Sequence, residues 1–293
     1  MAHGTVIRAA IIALLAALAT GAIGLASPAW ADPSPQVRHE QMIWTVVLVQ
    51  SGGGSGSGTV IFSEQHDGEV HTYILTNNHV IKNSVHISKV WCSGPPKCDE
   101  PAKIDVERRD TVRAQWFEYN NLSRNIGMRS QKADIVAYSL LYDLALLRTR
   151  NTETPVEYVA TLLPEDAPIY LGDEIKCVGA GLGMPPFITS GEVSFLDAEI
   201  KGEDGTYTTM SCQLIFGNSG GAAFRWSGSE FQLVGVPAKI SATWATGPVT
   251  HMAWAISMET VRDFLREHEL GWIVGDEPEP EPDEGDDNDE MDY

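Results

Sequence analysis

From residue 43 to residue 264 the chain is cut into brief apolar or alternating runs, with Gly, Pro, Asn and Asp between them. The runs 43–49, 58–62, 72–75, 85–90, 135–137 and 145–148 are followed by 174–179, 191–196, 208–214, 231–236 and 252–255. Each is too short for a stable helix, and the punctuation matches strands and turns, so the chain is expected to be all-β, built of barrels or sandwiches. The exception follows Ser257, a natural N-cap, where Val261, Phe264 and Leu265 share one helical face. So many strands exceed one ordinary core, and Thr, Glu and Pro interrupt them at 151–157, which predicts two units, 32–150 and 151–275.

Ends and charge narrow the setting. Arg8 precedes an uncharged run at 9–25, then a Ser-Pro break and Ala29-Trp30-Ala31 before Asp32, the pattern of a cleaved signal peptide over 1–31. A run of that length could just span a bilayer as an anchor, but small-residue and Pro punctuation follows it directly. The mature chain is therefore expected to be secreted or periplasmic, with no stable membrane insertion after cleavage. With 40 acidic against 20 basic residues and a net charge of −20, it should repel phosphate backbones, so nucleic acid is not an expected partner. Eleven of the acids crowd into 276–292, where Pro278, Pro280 and Pro282 oppose helix, and 276–293 reads as a solvated, disordered tail. Asp287-Asn288-Asp289 lacks the Gly and downstream Glu of an EF-hand loop, so no metal is expected there.

An exported chain meets oxidising conditions in which its cysteines can pair. Cys92 and Cys98 flank a turn-forming insert that favours a local disulfide, and Cys177 with Cys212 is the other candidate bridge; four cysteines allow three connectivities, and all stay open. Zinc is not expected, because no second Cys/His pair follows at ligand spacing. The Gly/Ser run 51–58 lacks the Lys-Ser/Thr ending of a phosphate-cradling loop and reads as a loop between the first two strands.

Three segments carry chemistry: Thr76-Asn77-Asn78-His79-Val80, Asp143-Leu144-Ala145-Leu146-Leu147 and Gly217-Asn218-Ser219-Gly220-Gly221. A serine hydroxyl is a poor nucleophile near neutral pH and needs a base to take its proton and a carboxylate to orient that base. His79, Asp143 and Ser219 supply those roles in the chain order His, Asp, Ser, which differs from the order in subtilisin and the α/β-hydrolases.

Embedded in such strands, these motifs resemble the chymotrypsin-fold, trypsin-like serine peptidases, most closely the bacterial HtrA-like branch. Ser55-Gly-Ser-Gly-Thr-Val-Ile61, Tyr73-Ile-Leu-Thr-Asn-Asn-His-Val-Ile81, Ala133-Asp-Ile-Val-Ala-Tyr138, Gly217-Asn-Ser-Gly-Gly-Ala222 and Trp254-Ala-Ile-Ser257 come in that branch's order. The resemblance implies two six-stranded antiparallel barrels with a C-terminal helix, the triad in the cleft between them, and an oxyanion hole made by the backbone amides of Gly217 and Ser219. It implies no cofactor, and polypeptide partners that include unfolded proteins. Asn218 stands where the digestive relatives carry the Asp that pairs with a freshly cut N-terminus, so activation by that ion pair is not expected. Carried over, 235–240 is the strand that pairs with substrate, with Ala238, Lys239, Ile240 and Met252 as substrate-binding residues; Ile240 and Met252 would close a pocket for small or medium aliphatic side chains. Three departures stand out: an acidic tail where many relatives have a PDZ domain, a long His79–Asp143 interval with an insert over 91–132, and Pro237 in the substrate-pairing strand. The rival reading is a silent or conditionally activated protease fold used as a binding or chaperone module.

Overall fold

The computed structural model describes residues 32–66, 69–93, 99–150, 153–243 and 247–276. The signal-peptide segment 1–31 and the acidic tail from 277 onward lie outside these residues.

The first half is a closed barrel. Strands β1 (Val46–Ser51), β2 (Gly54–His66) and β3 (Glu69–Thr76) lead to a short helix, α2 (Asn78–Ile81), which comes after an earlier turn of helix, α1 (Pro35–Arg38). The chain then leaves the barrel as a hairpin, β4 (Val85–Cys92) with β5 (Ala102–Arg109), and returns as β6 (Val112–Asn120), β7 (Arg124–Ser139) and β8 (Leu144–Thr149). Strand order is β1-β2-β3-β8-β7-β6, with β1 pairing β6 to close the ring, while β4 and β5 pair only with each other. Alternation places Val47, Val49, Val60, Ile74, Ala114, Ile135 and Leu147 inside the barrel.

The second half contains β9 (Thr161–Leu162), β10 (Glu174–Gly179), β11 (Phe187–Ala198), β12 (Tyr207–Met210), β13 (Ala222–Trp226), β14 (Phe231–Thr243) and β15 (Gly247–Ser257). Its order is β13-β10-β11-β12-β15-β14, and β13 also pairs β14, so six antiparallel strands form a second ring; β9 adds a short parallel pairing to β14. This is the expected all-β, chymotrypsin-like architecture. The expected helix is α3 (Met258–Glu267), with Ser257 Oγ accepting from the Thr260 amide and Val261, Phe264 and Leu265 fully buried. Beyond it a 3-10 turn, Gly271–Val274, sets Trp272 edge-on against Phe62 of β2 and Tyr73 of β3. The helix end is thereby pinned to the first barrel.

Four expectations need correction. Residues 39–43 form a π-helical turn, so β1 begins at Val46. The Gly/Ser run is not a loop throughout: β2 starts at Gly54 and pairs Ser57 with Leu48. A Cβ at Gly56 would collide with Val80, and one at Gly58 with Ile74, so these glycines answer to close packing. The 91–132 insert holds β5, β6 and the start of β7, and of these β6 and β7 belong to the closed barrel itself. Finally, Cys177 and Cys212 are not bridged: both are buried free thiols. In the core Cys177 Sγ donates to Met210 Sδ at 4.0 Å and Cys212 Sγ to Ile175 O at 3.6 Å, and burial pushes the Cys177 thiol above its ordinary pKa. Cys92 is disulfide-bonded, and the expectation for Cys98 falls outside the described residues.

Candidate active site

α2 presents His79, and the turn between β7 and β8 presents Asp143. Asp143 adopts a left-handed backbone, φ 52°, a conformation that Asp tolerates better than most side chains. Its carbonyl accepts from the Asn78 amide at 3.1 Å and from Asn77 Nδ2 at 2.9 Å. Its carboxylate takes the His79 amide on Oδ1 at 3.0 Å and His79 Nδ1 on Oδ2 at 2.8 Å. Nδ1 therefore carries the proton toward the acid, leaving Nε2 free to accept one. Burial raises the Asp143 carboxyl, but the His79 hydrogen bonds and the nearby His79 and Lys239 charges outweigh it and hold the pKa below its ordinary value.

Ser219 sits in the tight turn ahead of β13, between Gly217 at φ 97° and Gly220 at φ 82°. A Cβ at Gly220 would strike Ser57 O and Thr76 Oγ1, so the turn admits only glycine. Ser57 is the clamp: its amide donates to Ser219 O at 2.7 Å, and its hydroxyl donates to Gly217 O at 2.7 Å and accepts from the Ala180 amide at 2.8 Å. One strand of the first barrel thus holds the turn that the second barrel contributes. The Phe216 carbonyl accepts from the Leu182 amide at 2.8 Å. Because C=O and N–H of a trans peptide point opposite ways, the Gly217 N–H is turned away from that bond. Among the described residues, neither the Gly217 nor the Ser219 amide donates to a backbone carbonyl.

The Ser219 hydroxyl donates to Ala238 O at 3.2 Å, and no hydrogen bond joins it to His79. Both residues line a cavity of about 340 Å³ whose walls include Leu214, Ile215, Ala238 and Ile240. Ile240 and Ala238 are where the sequence placed them. Met252 is not: it lies outside the lining and is 47% exposed. Lys239 touches the cavity, but its ammonium reaches Asp143, Glu203 and Tyr207. The cause is a bulge: register shifts between Pro237 and Lys239, where proline has no N–H to give, and the strand re-aims the side chains beyond it. Asn218 is buried, and neither polar atom of its side chain has a partner.

Sequence reasoning missed Ser57, Asn77, Glu203 and Tyr207. Ser57, flanked by glycines, carried a faint signal; Glu203 and Tyr207 carried none. No described cluster of His, Cys, Asp and Glu is arranged to hold a metal ion.

A family model for the trypsin-like peptidase domain matches residues 56–236, more than half of the chain. The chain belongs to the trypsin-like peptidase family. Among solved structures, the serine endoprotease from Yersinia pestis matches with a TM-score of 0.52 and 18% identity, over 81% of this chain and 67% of that one. At that identity the likeness is one of fold. No curated protein matches the chain. As a trypsin-like peptidase, the protein has its His79–Asp143 pair on the first barrel and its Ser219 turn on the second. No helix among the described residues is long and apolar enough to cross a membrane.

Proposed function

We propose that the protein is an exported serine endopeptidase that cleaves peptide bonds through an acyl-enzyme on Ser219. His79 acts as general base and then as general acid, and Asp143 holds it in the tautomer that leaves Nε2 free. The amides of Gly217 and Ser219 receive the oxyanion, where preorganised donors count most. The observation that carries the reading is the His79 Nδ1–Asp143 Oδ2 bond of 2.8 Å in a cavity that His79 shares with Ser219. The apolar walls at Leu214, Ile215 and Ile240 favour an aliphatic side chain before the scissile bond. An extended polypeptide would add as a strand along β14.

The bond from Ser219 Oγ to Ala238 O favours a second reading, a resting enzyme whose nucleophile must first rotate. Fluorophosphonate labelling of the folded mature protein, mapped by peptide mass spectrometry, separates the two. Label on Ser219, absent in Ser219→Ala and His79→Ala, supports the peptidase. A folded protein without label means a closed site and a binding or conditionally activated role.

A further inference from the structure

Behind the His79–Asp143 pair lies a second charge cluster that the triad does not require. Lys239 Nζ stands 3.5 Å from Asp143 Oδ2, the same oxygen that takes the His79 ring proton. Its other partners are Glu203 Oε2 at 2.6 Å and the Tyr207 hydroxyl at 2.9 Å, and it lies 5.0 Å from the Tyr207 ring centroid. The Tyr207 hydroxyl donates in turn to Glu203. Glu203 is coupled to the turn that carries Asp143, because the next residue, Asp204, donates its amide to Leu141 O at 3.0 Å. The Lys239 side chain is only 31% exposed, and its ammonium is thus fixed from two sides.

We propose that Lys239 is a positioning residue for Asp143, with its charge balanced by Glu203 and its place fixed by Tyr207, and that this trio sets the pH range over which the His79–Asp143 pair works. The inference rests on the reading of Ser219 as nucleophile. The groups facing Asp143 are His79 from α2, Lys239 from β14 and Tyr207 from β12; Glu203 lies beyond Lys239, while Asp204, Asp263 and Glu267 bear on the adjacent Tyr142. Asp143 orients the imidazole and stabilises the imidazolium that forms as Ser219 attacks. A cation on the shared oxygen opposes that second positive charge, and Glu203 offsets the opposition. Lys239 and Glu203 therefore act on His79 with opposite signs.

That opposition is what an experiment can read. The second-order rate of fluorophosphonate labelling at Ser219, measured against pH, gives an acidic limb without any need to know the substrate. Lys239→Met removes the opposing cation, so the limb should move to higher pH by roughly half to one unit. Glu203→Gln leaves the cation uncompensated, so the limb should move to lower pH. Lys239→Arg should bring the limb back toward wild type. General damage to the fold would lower the plateau of both variants without shifting their limbs in opposite directions, and far-ultraviolet circular dichroism confirms that each is folded. Limbs that stay together, or move the same way, overturn the proposal while wild-type labelling still supports the peptidase. A wild-type protein with no label on Ser219 overturns both.

Discussion

Ser219 lines the cavity and Asp143 is buried next to His79, and the two are held in different ways. The carboxylate has the His79 amide, the His79 ring and the Lys239 ammonium around it, and its own carbonyl is tied to Asn77 and Asn78. The serine's backbone is clamped by Ser57, but its hydroxyl has a single bond, to Ala238 O. The His79 ring is therefore held on its Asp143 side as it stands, whereas Ser219 has its main chain fixed and its hydroxyl tied only to Ala238 O.

Tests that break the more rigid half should have the largest effect. Asp143→Asn keeps the shape but loses the tautomer control, and the labelling rate at Ser219 should fall by about 10⁴-fold. On the nucleophile side, Gly220→Ala places a Cβ against Ser57 O at a left-handed φ, and should cost about 3 kcal/mol in denaturant unfolding. Gly53→Ala, with a similar φ and open space around it, should cost about 1 kcal/mol. Equal costs would mean that the clamp is looser than drawn. Ser57→Ala removes the clamp's hydroxyl and should destabilise by about 1–2 kcal/mol while slowing labelling.

Acid should loosen the hold of Asp143 on His79. The Asp143 carboxyl titrates lower in the fold than its ordinary value of 3.8, so its contribution is complete above that pH and is lost as pH falls through the lower, folded value. Unfolding free energies measured from pH 5 downward should therefore decline less steeply in Asp143→Asn than in wild type. The smallest effect belongs to Met252→Ala, which should leave kcat/KM on an aliphatic peptide substrate within about twofold, because it removes no pocket wall.

The all-β fold is readable, and the segments of His79, Asp143 and Ser219 stand out, because alternation in strands and tight Gly turns are local signals. The features that escape are set by distant neighbours. Residues 54–58 look like a linker by composition, yet they pair along β1 as strand, and Val80, Ile74 and Ser219 O leave no room for a Cβ at Gly56 or Gly58. β5, Ala102–Arg109, escapes because both of its faces meet solvent and no buried face imposes a pattern. Lys239 lines the cavity, but that its ammonium reaches Asp143, Glu203 and Tyr207 is not legible in the sequence, because the bulge beside Pro237 and neighbours distant in the chain set its direction. Cys177 and Cys212 are neighbours, as their pairing requires, but the structure keeps them as core thiols.

The hairpin of β4 and β5 carries a consequence for how such a chain diversifies. It leaves the barrel at Ser84 and rejoins it at Asp110, whose amide already donates to Ser84 O at 2.8 Å, while the ring closes without either strand. Both ends of the excursion meet at one backbone bond, so it works as a socket: hairpins can be lengthened, exchanged or trimmed there without altering the order of the barrel strands. With Ile87 and Trp91 turned outward at 63% and 62% exposure, this plug-in presents an apolar surface that can change while the closure of the barrel is left alone.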